Sequence, residues 1–219
     1  MHVRNLADQE LRRIELRTMF RFNLHGRITA INEPPWLPGP RIFRVTGGGE
    51  TLIRIRDDVP ESMARRWLAT EDEAQLKSAV AEHRPVEAEY RGPAFVVPDI
   101  EAPGGCEPVG SALRLHPELL ARGWKAGETG PYVGVVRDGM VVSVCYSSRL
   151  SAEAAAAGVE TASNYRGQGL AAEAVRGWAA AVQSTGRIAF YSTQWTNEAS
   201  QRVAEKLHAR QFGEHWHLT

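Results

Sequence analysis

The order of strand and helix patterns in the last third of the chain constrains the fold most. Three strand-like runs, at 157–161, 187–192 and 212–218, alternate with two amphipathic segments, at about 169–184 and 197–208. Helices with one apolar face need a sheet to cover them, so this region predicts a layered α/β structure. The apolar face of the first helix is formed at steps of four, three and four by Ala171, Val175, Trp178 and Val182.

Earlier segments predict antiparallel strands. Two apolar runs in PYVGVVRDGMVVSVCYSS are joined by Asp138-Gly139, a pair that tolerates positive φ and is typical of a hairpin turn. We therefore expect an α/β (α+β) fold with a mixed, mainly antiparallel central sheet flanked by helices. The other predicted strands are a hairpin at 41–46 and 51–56 and single strands at 27–32 and 86–92. Helices are predicted at 6–22, after Pro60, from 71 to about 83 and near 117–122, and a loop at 98–108.

Composition argues against several classes of protein. The chain carries 26 basic and 26 acidic side chains, which does not favour binding to nucleic acid or to a membrane surface. No signal peptide or membrane span is expected, because no run of about 18 apolar residues occurs. Cys106 and Cys145 match no metal or redox spacing, so we expect a reduced, cytoplasmic protein. Between Thr161 and Arg210 six basic residues face three acidic ones, which favours an anionic ligand unless the basic side chains are only solvated.

The segment YRGQGLAAEAV, residues 165–175, lies between a predicted strand and a predicted helix. Gly167 and Gly169 let the backbone turn tightly and approach a ligand. Unpaired N–H groups at the helix start, together with the helix dipole, suit a pyrophosphate. A glycine pair can also be only a tight turn. The segment matches neither of the common nucleotide patterns, G-x-x-x-x-G-K-[ST] and G-x-G-x-x-G.

Residues 166–171 fit the pattern R/Q-x-x-G-x-G/A, and at this point the sequence resembles the GNAT acyltransferase superfamily. GVETASNY is similar to the bulged fourth strand of that family, and WTNEASQRVAEKLHARQFG is similar to its second signature. The resemblance covers about 130–219, with weaker support from residue 86. It implies a GNAT-like acetyltransferase domain over 86–219 and an N-terminal α/β extension over 1–85. The role of the extension stays open between acceptor-site walls, a dimer surface and additional core.

The resemblance implies acetyl-CoA as the co-substrate and no metal. Backbone amides of the glycine loop would hold the pyrophosphate, and the end of the preceding strand would pair with the pantetheine arm. Asn197 would contact the same arm, although Asn is equally suited to cap a helix. The residues assigned to cofactor binding are Val159, Thr161, Arg166, Gly167, Gln168, Gly169, Leu170, Ala171, Asn197 and Ser200.

The sequence departs from the family at the group that protonates the leaving thiolate. Many members have Tyr seven residues after the Asn, but the residue here is Ala204. The N-x-x-S pattern that ends at Ser200 is instead similar to the branch that includes acetyltransferases of ribosomal-protein N-termini, in which the Ser lies near the cofactor sulfur. We therefore predict that Ser200 hydrogen-bonds or protonates the sulfur, with Tyr146 and Tyr191 as the next candidates.

A second catalytic group must accept the proton of the ammonium. Glu160, in the strand that leads to the glycine loop, is predicted to do so directly or through a water. The alternative is that Glu160 is an exposed strand residue or the partner of a nearby Arg. Strand N–H groups near Thr161 would polarise the thioester carbonyl.

Three histidines carry structural expectations. His208 stands where the family commonly has Gly, so we expect the end of the second helix to have a different shape. His215 and His217 are two residues apart in the last strand and share one face. With no third ligand nearby, exposed imidazoles on a terminal strand are expected rather than a metal site.

The predicted function is transfer of the acetyl group of acetyl-CoA to a primary amine by direct attack. The acceptor is a small molecule or a peptide, and a homodimer is a further partner considered for the N-terminal extension. Two alternatives stay open. One is a catalytically silent acyl-CoA-binding or sensing protein, suggested by Ala204, and the other is an acetyltransferase acting on protein N-termini or lysines.

Overall fold

The computed structural model describes residues 6–101, 104, 106–109, 114–124 and 130–219. Its helices are α1 (Asp8–Met19), α2 (Glu61–Leu68), α3 (Glu73–His83), α4 (Pro117–Ala121), α5 (Leu170–Ser184) and α6 (Glu198–Lys206). Its strands are β1 (Phe20–Phe22), β2 (Ile28–Ile31), β3 (Ile42–Gly47), β4 (Glu50–Ile55), β5 (Glu89–Val96), β6 (Cys106–Pro108), β7 (Tyr132–Arg137), β8 (Met140–Leu150), β9 (Ala154–Thr161), β10 (Ile188–Ser192) and β11 (Arg210–Leu218). None of these helices has both the length and the apolarity that a membrane crossing requires.

Nine strands form one sheet in the order β4-β3-β11-β5-β10-β9-β8-β7-β6. Neighbouring strands are antiparallel except β9 and β10, which are parallel. Along β10, Ile188 and Phe190 pack with α1, whereas Ala189 and Tyr191 pack with α5. Because alternate strand residues point to opposite faces, the two helices cover opposite faces of the sheet. The predicted mixed, mainly antiparallel sheet flanked by helices is confirmed.

The predicted hairpin between β7 and β8 forms for a local reason. Asp138 and Gly139 have φ angles of 49° and 73°, the left-handed conformation that a two-residue hairpin turn requires at both positions. The turn sets the pairing of Arg137 with Met140 and starts the antiparallel ladder behind it. The hairpin of β7 and β8 therefore begins at a turn that the dipeptide favours.

The N-terminal region contributes to the same sheet as the rest of the chain. β3 pairs with β4 on one side and with β11 on the other, and β11 in turn pairs with β5. Residues on both sides of the division predicted at residue 85 therefore share one continuous ladder of hydrogen bonds. Whether 86–219 folds without 1–85 stays a prediction.

Four details differ from the sequence expectations. The helix predicted for 6–22 ends at Met19, and its last three residues form β1. Part of the predicted loop 98–108 is a strand, β6, which pairs with β7, while residues 102, 103 and 105 lie outside the described part. β9 begins at Ala154, within an Ala-rich stretch, because these small side chains are buried against the covering helices. The strand irregularity lies at Ser148 of β8, not in GVETASNY.

The parallel strands β9 and β10 separate after a short paired stretch. They pair only from Ala154 with Ile188 to Ala156 with Phe190. Beyond this point β10 continues its pairing with β5, and β9 continues with β8 as far as Thr161. The two strands thus leave an opening in the sheet, and this opening positions the candidate site.

Candidate functional site

The glycine loop joins the end of β9 to the start of α5. Gly167 and Gly169 have φ angles of 77° and 84°, a conformation that side-chain-bearing residues rarely adopt. A Cβ atom on Gly167 would meet nothing within 4 Å, so the backbone there faces open space. The first N–H groups of α5 lack partners within the helix. The shape of the loop therefore suits an anionic group, and its role in binding a cofactor stays a prediction.

The first cavity, of about 620 Å³, lies between the end of β9, the glycine loop and α6. It is lined by every residue predicted to bind the cofactor except Gln168, whose side-chain amide donates to the carbonyl of Asn164. The charged groups in its lining are four cationic side chains and one carboxylate, so the cavity suits a polyanion. The cations are Arg122, Arg166, Arg202 and Lys206, and the carboxylate is Glu160.

Glu160 lies in the first cavity with both of its Arg neighbours. Its Oε1 accepts hydrogen bonds from Arg122, at 2.7 Å, and from Arg166, at 2.9 Å. Glu160 is thus a strand residue paired with nearby Arg side chains, which is the alternative considered from the sequence. Its role as proton acceptor stays a prediction.

Asn197 caps α6, because its Oδ1 accepts the N–H of Ser200 at 3.1 Å. The same residue lines the first cavity, so capping leaves it in reach of a ligand. The helix-cap interpretation of Asn197 is confirmed, and contact with a cofactor arm stays a prediction.

A partly buried hydroxyl pair lines the first cavity where β10 meets α6. The Tyr191 hydroxyl and Ser200 Oγ are 2.5 Å apart, and both residues line the cavity. Tyr191 is 2% exposed, and its burial raises the pKa of the phenol to about 12, so it keeps its proton at neutral pH. The sequence makes Tyr191 only a secondary candidate after Ser200, because no local pattern predicts that a residue of β10 contacts α6.

The positions around this pair clarify the departures from the family. Ala204 is buried against α5 and lines neither this cavity nor the second one described below. Tyr146 hydrogen-bonds Glu33, at 3.5 Å, and also lines neither. His208 has a φ of 51°, the conformation that Gly favours after a helix, so the expected change of shape at this helix end is wrong.

The second cavity, of about 510 Å³, lies on the other side of the opening between β9 and β10. It shares four lining residues with the first: Val159, Tyr191, Asn197 and Ser200. The two cavities therefore meet at the hydroxyl pair. No local pattern indicates this cavity, since its walls come from ten elements and from the segments after β2 and after β10. The elements are α1, β1, β2, β3, β5, β8, β9, β10, α6 and β11.

The expectation of exposed imidazoles on a terminal strand is wrong. β11 lies inside the sheet, and His215 and His217 both line the second cavity. His215 Nε2 is 2.8 Å from Oε2 of Glu15 on α1, and both side chains are only 2% exposed. His217 stacks on Tyr90, and burial lowers its pKa to about 4, so it is neutral at pH 7. Within the described residues, no group of three His, Cys, Asp or Glu side chains has a metal-binding arrangement.

Part of the chain is similar to a known protein family. Residues 128–212 match the model of the GNAT acetyltransferase family. A GCN5-related N-acetyltransferase from Kribbella flavida has the same fold, with a TM-score of 0.52, 15% identity, and coverage of 97% of this chain and 95% of that chain.

A GNAT-family structure from Novosphingobium aromaticivorans is 23% identical, with a TM-score of 0.49 and coverage of 61% of this chain. The match spans 65% of that chain, slightly less than two thirds of its length. Among curated proteins, none matches this sequence. The comparisons thus support the fold, and the chemistry and the acceptor must be argued from the site itself.

Proposed function

We propose that the protein is an N-acetyltransferase that transfers the acetyl group of acetyl-CoA to a primary amine by direct attack. The observation that carries the proposal is that two cavities meet at the Tyr191 and Ser200 hydroxyls. One cavity suits the anionic end of a cofactor, and the other is free for a second substrate. Such an arrangement brings two reactants together without an acyl-enzyme intermediate.

The first cavity fits acetyl-CoA by three features. The loop 166–171 presents backbone N–H groups without Cβ obstruction at Gly167, which suits the diphosphate. Lys206 supplies a cation beside the same loop, since its Nζ lies 3.5 Å from where a Cβ of Gly169 would be. The edge of β9 beyond Ala156 is no longer paired with β10 and can hydrogen-bond the amides of a pantetheine arm.

The hydroxyl pair is placed to assist departure of the thiol. Bound acetyl-CoA supplies the thioester whose acetyl group moves to the amine. A thiol has an ordinary pKa of about 8.5, so protonation assists its departure without being strictly required. Tyr191 keeps its proton at neutral pH and lies against Ser200, so the pair can donate a proton toward the sulfur. This supports Ser200 as a catalytic residue and adds Tyr191 to it.

The acceptor class and the location remain part of the proposal. The balanced net charge favours a small-molecule or peptide amine over nucleic acid or a membrane surface. A cytoplasmic location fits the free thiols of Cys106 and Cys145.

The proposal is tested by incubating the protein with acetyl-CoA and panels of small amines and of peptides. We expect release of free CoA that depends on an amine, and an acetylated amine in the mass spectrum. Tight binding of acetyl-CoA without any amine-dependent release would instead favour the silent binding protein that Ala204 suggests. Turnover with peptides alone would favour the protein-modifying alternative.

A further inference from the structure

The second cavity has the size and position of a substrate site. Its volume of about 510 Å³ lies within the range of small-molecule sites. It reaches the first cavity at Val159, Tyr191 and Ser200, so a group at its inner end would stand beside the thioester. Much of its outer wall belongs to the N-terminal region, including Phe20, Ile31 and Phe43.

The walls of the second cavity combine apolar and aromatic surface with polar side chains that are mostly uncharged. Phe20, Phe43 and Tyr90 supply aromatic surface, and Met19 and Ile31 add aliphatic surface. Among the described lining residues, the side chain of permanent charge is Arg149, which is ion-paired with Glu33. The described side chains of the cavity therefore have no unpaired charge that could bind a second charged group on the substrate. Such a group would lose its hydration without compensation.

Behind this wall lies a buried polar pair that packing alone does not require. The side chains of Glu15 and His215 are only 2% exposed, and a buried carboxylate is costly unless it is hydrogen-bonded. α1 otherwise buries apolar residues such as Leu11 and Ile14 on this sheet. The imidazole of His215 lines the cavity, while its Nε2 is bound to Glu15. An imidazole backed by a carboxylate therefore forms part of the wall of the cavity.

We propose that the second cavity binds the amine acceptor, a primary amine on an aromatic or aliphatic body without further charge, and that His215, held by Glu15, accepts its ammonium proton. This inference rests on the proposed acetyl transfer and specifies its acceptor. His215 is then a catalytic residue, and Glu15 is a positioning residue that orients the ring and balances its charge.

The proton balance of the reaction is complete with these groups. The ammonium gives one proton to His215, and the free amine forms the C–N bond as the C–S bond breaks. The nitrogen then loses a second proton, which restores the proton that the Tyr191 and Ser200 hydroxyls pass to the sulfur. The products are an amide, free CoA and one proton, which His215 returns to solvent.

The acceptor class is tested with 2-phenylethylamine, hexylamine, spermidine and glutamate as probes. We expect kcat/KM for phenylethylamine and hexylamine to exceed the values for spermidine and glutamate by about tenfold or more. A preference for spermidine or glutamate would overturn the inference while leaving acetyl transfer intact. If no amine is acetylated, the proposed function fails. Calorimetry with phenylethylamine and the CoA-saturated protein then decides the inference, which is overturned if no binding is seen.

The location is tested by filling the second cavity. Ile31→Trp on β2 should lower kcat/KM for phenylethylamine by about tenfold or more and leave the affinity for acetyl-CoA unchanged. Thr29→Trp is the matched control, because Thr29 is exposed on the same strand and does not line this cavity. Equal effects of the two substitutions would contradict the placement of the acceptor.

The role of His215 is tested by the pH dependence of Glu15→Gln, which is nearly isosteric, and of His215→Gln. The titratable groups beside the pair are Tyr90, with a pKa raised to about 12 by burial, and His217, with a pKa lowered to about 4 by burial. Neither changes its charge between pH 6 and 10, so neither contributes to the pH dependence of kcat/KM in that range.

We expect both variants to lose about a hundredfold in kcat/KM at pH 7 and much less near pH 10, where free amine is present without a base. A loss that is equal at all pH values would show a structural role only. The same pH signature in Glu160→Gln, with none in Glu15→Gln, would return the role to Glu160.

Discussion

The two cavities that meet at Tyr191 are built in different ways. The first is assembled mainly from one stretch of chain, from Val159 to Ala172, closed by α6. The second takes its walls from segments scattered from Met19 to Thr219. The first uses backbone N–H groups and glycines, whereas the second uses side chains that only the sheet register brings together. A site made of backbone leaves a motif in the sequence, and a site made of distant side chains leaves none.

The largest effect that separates the two cavities is expected from removing residues 1–85. The fragment 86–219 keeps the glycine loop. It loses α1, which covers Phe212, and β3, which pairs with β11. We expect an aggregating protein without a cooperative thermal transition by circular dichroism, since several buried side chains become exposed. A soluble, cooperatively folding and fully active fragment would show that the second cavity is not needed.

The next effect concerns the first cavity alone. Gly169→Val should lower the affinity for acetyl-CoA by about a hundredfold or more in calorimetry, because a branched residue disfavours a φ of 84° and obstructs the loop. Gly186→Val is the matched control, since Gly186 has a φ of 78° but lies away from both cavities. It carries similar backbone strain and should keep the wild-type affinity. Equal affinities for Gly169→Val and wild type would refute the assignment of the loop.

The smallest of these effects is expected at the junction of the two cavities. Tyr191→Phe and Ser200→Ala should each lower kcat by about ten- to a hundredfold, with little change in the affinity for acetyl-CoA. With a Tyr191 pKa of about 12, kcat should show no alkaline loss from this group up to pH 10. Burial raises this pKa, so the phenol remains a proton donor throughout that range.

Tyr132→Phe is the control for the hydroxyl pair. Tyr132 is also buried, with a pKa raised to about 12, but its hydroxyl has no hydrogen-bond partner among the described residues and lines neither cavity. Its substitution should leave kcat near the wild-type value. Wild-type kcat in both junction variants would move the proton donor to another group.

Most of the fold could be predicted because its signals are local. Asp138-Gly139 adopts the turn that its sequence favours, and the helix faces follow their apolar spacing. β6 and the start of β9 could not be predicted in this way. Three residues beginning with Cys106 become a strand only because β7 offers an edge, and Ala154 is extended only because neighbouring strands and α1 bury it.

The candidate site also has parts that local sequence predicts and parts that depend on distant packing. The glycine loop and the Asn197 cap were predicted from a few consecutive residues, and the structure has both. The contact of Tyr191 with Ser200 depends on how α6 packs on β10, and the contact of Glu15 with His215 joins residues 200 positions apart. No short-range pattern carries such pairings, because they are fixed by the strand order of the sheet.

The position of β11 between β3 and β5 also has a consequence for the order of folding. Paired residues of β11 and its two neighbours are well over a hundred positions apart in the chain. Leu218, for example, pairs with Ile42 of β3 and with Glu89 of β5. Contacts of such long sequence separation form slowly, because the loop must close before the contact stabilises it. During synthesis, β3, β4 and α1 must therefore wait for β11, with apolar surface exposed meanwhile. We expect the newly made N-terminal region to depend on chaperones until Arg210–Leu218 has left the ribosome.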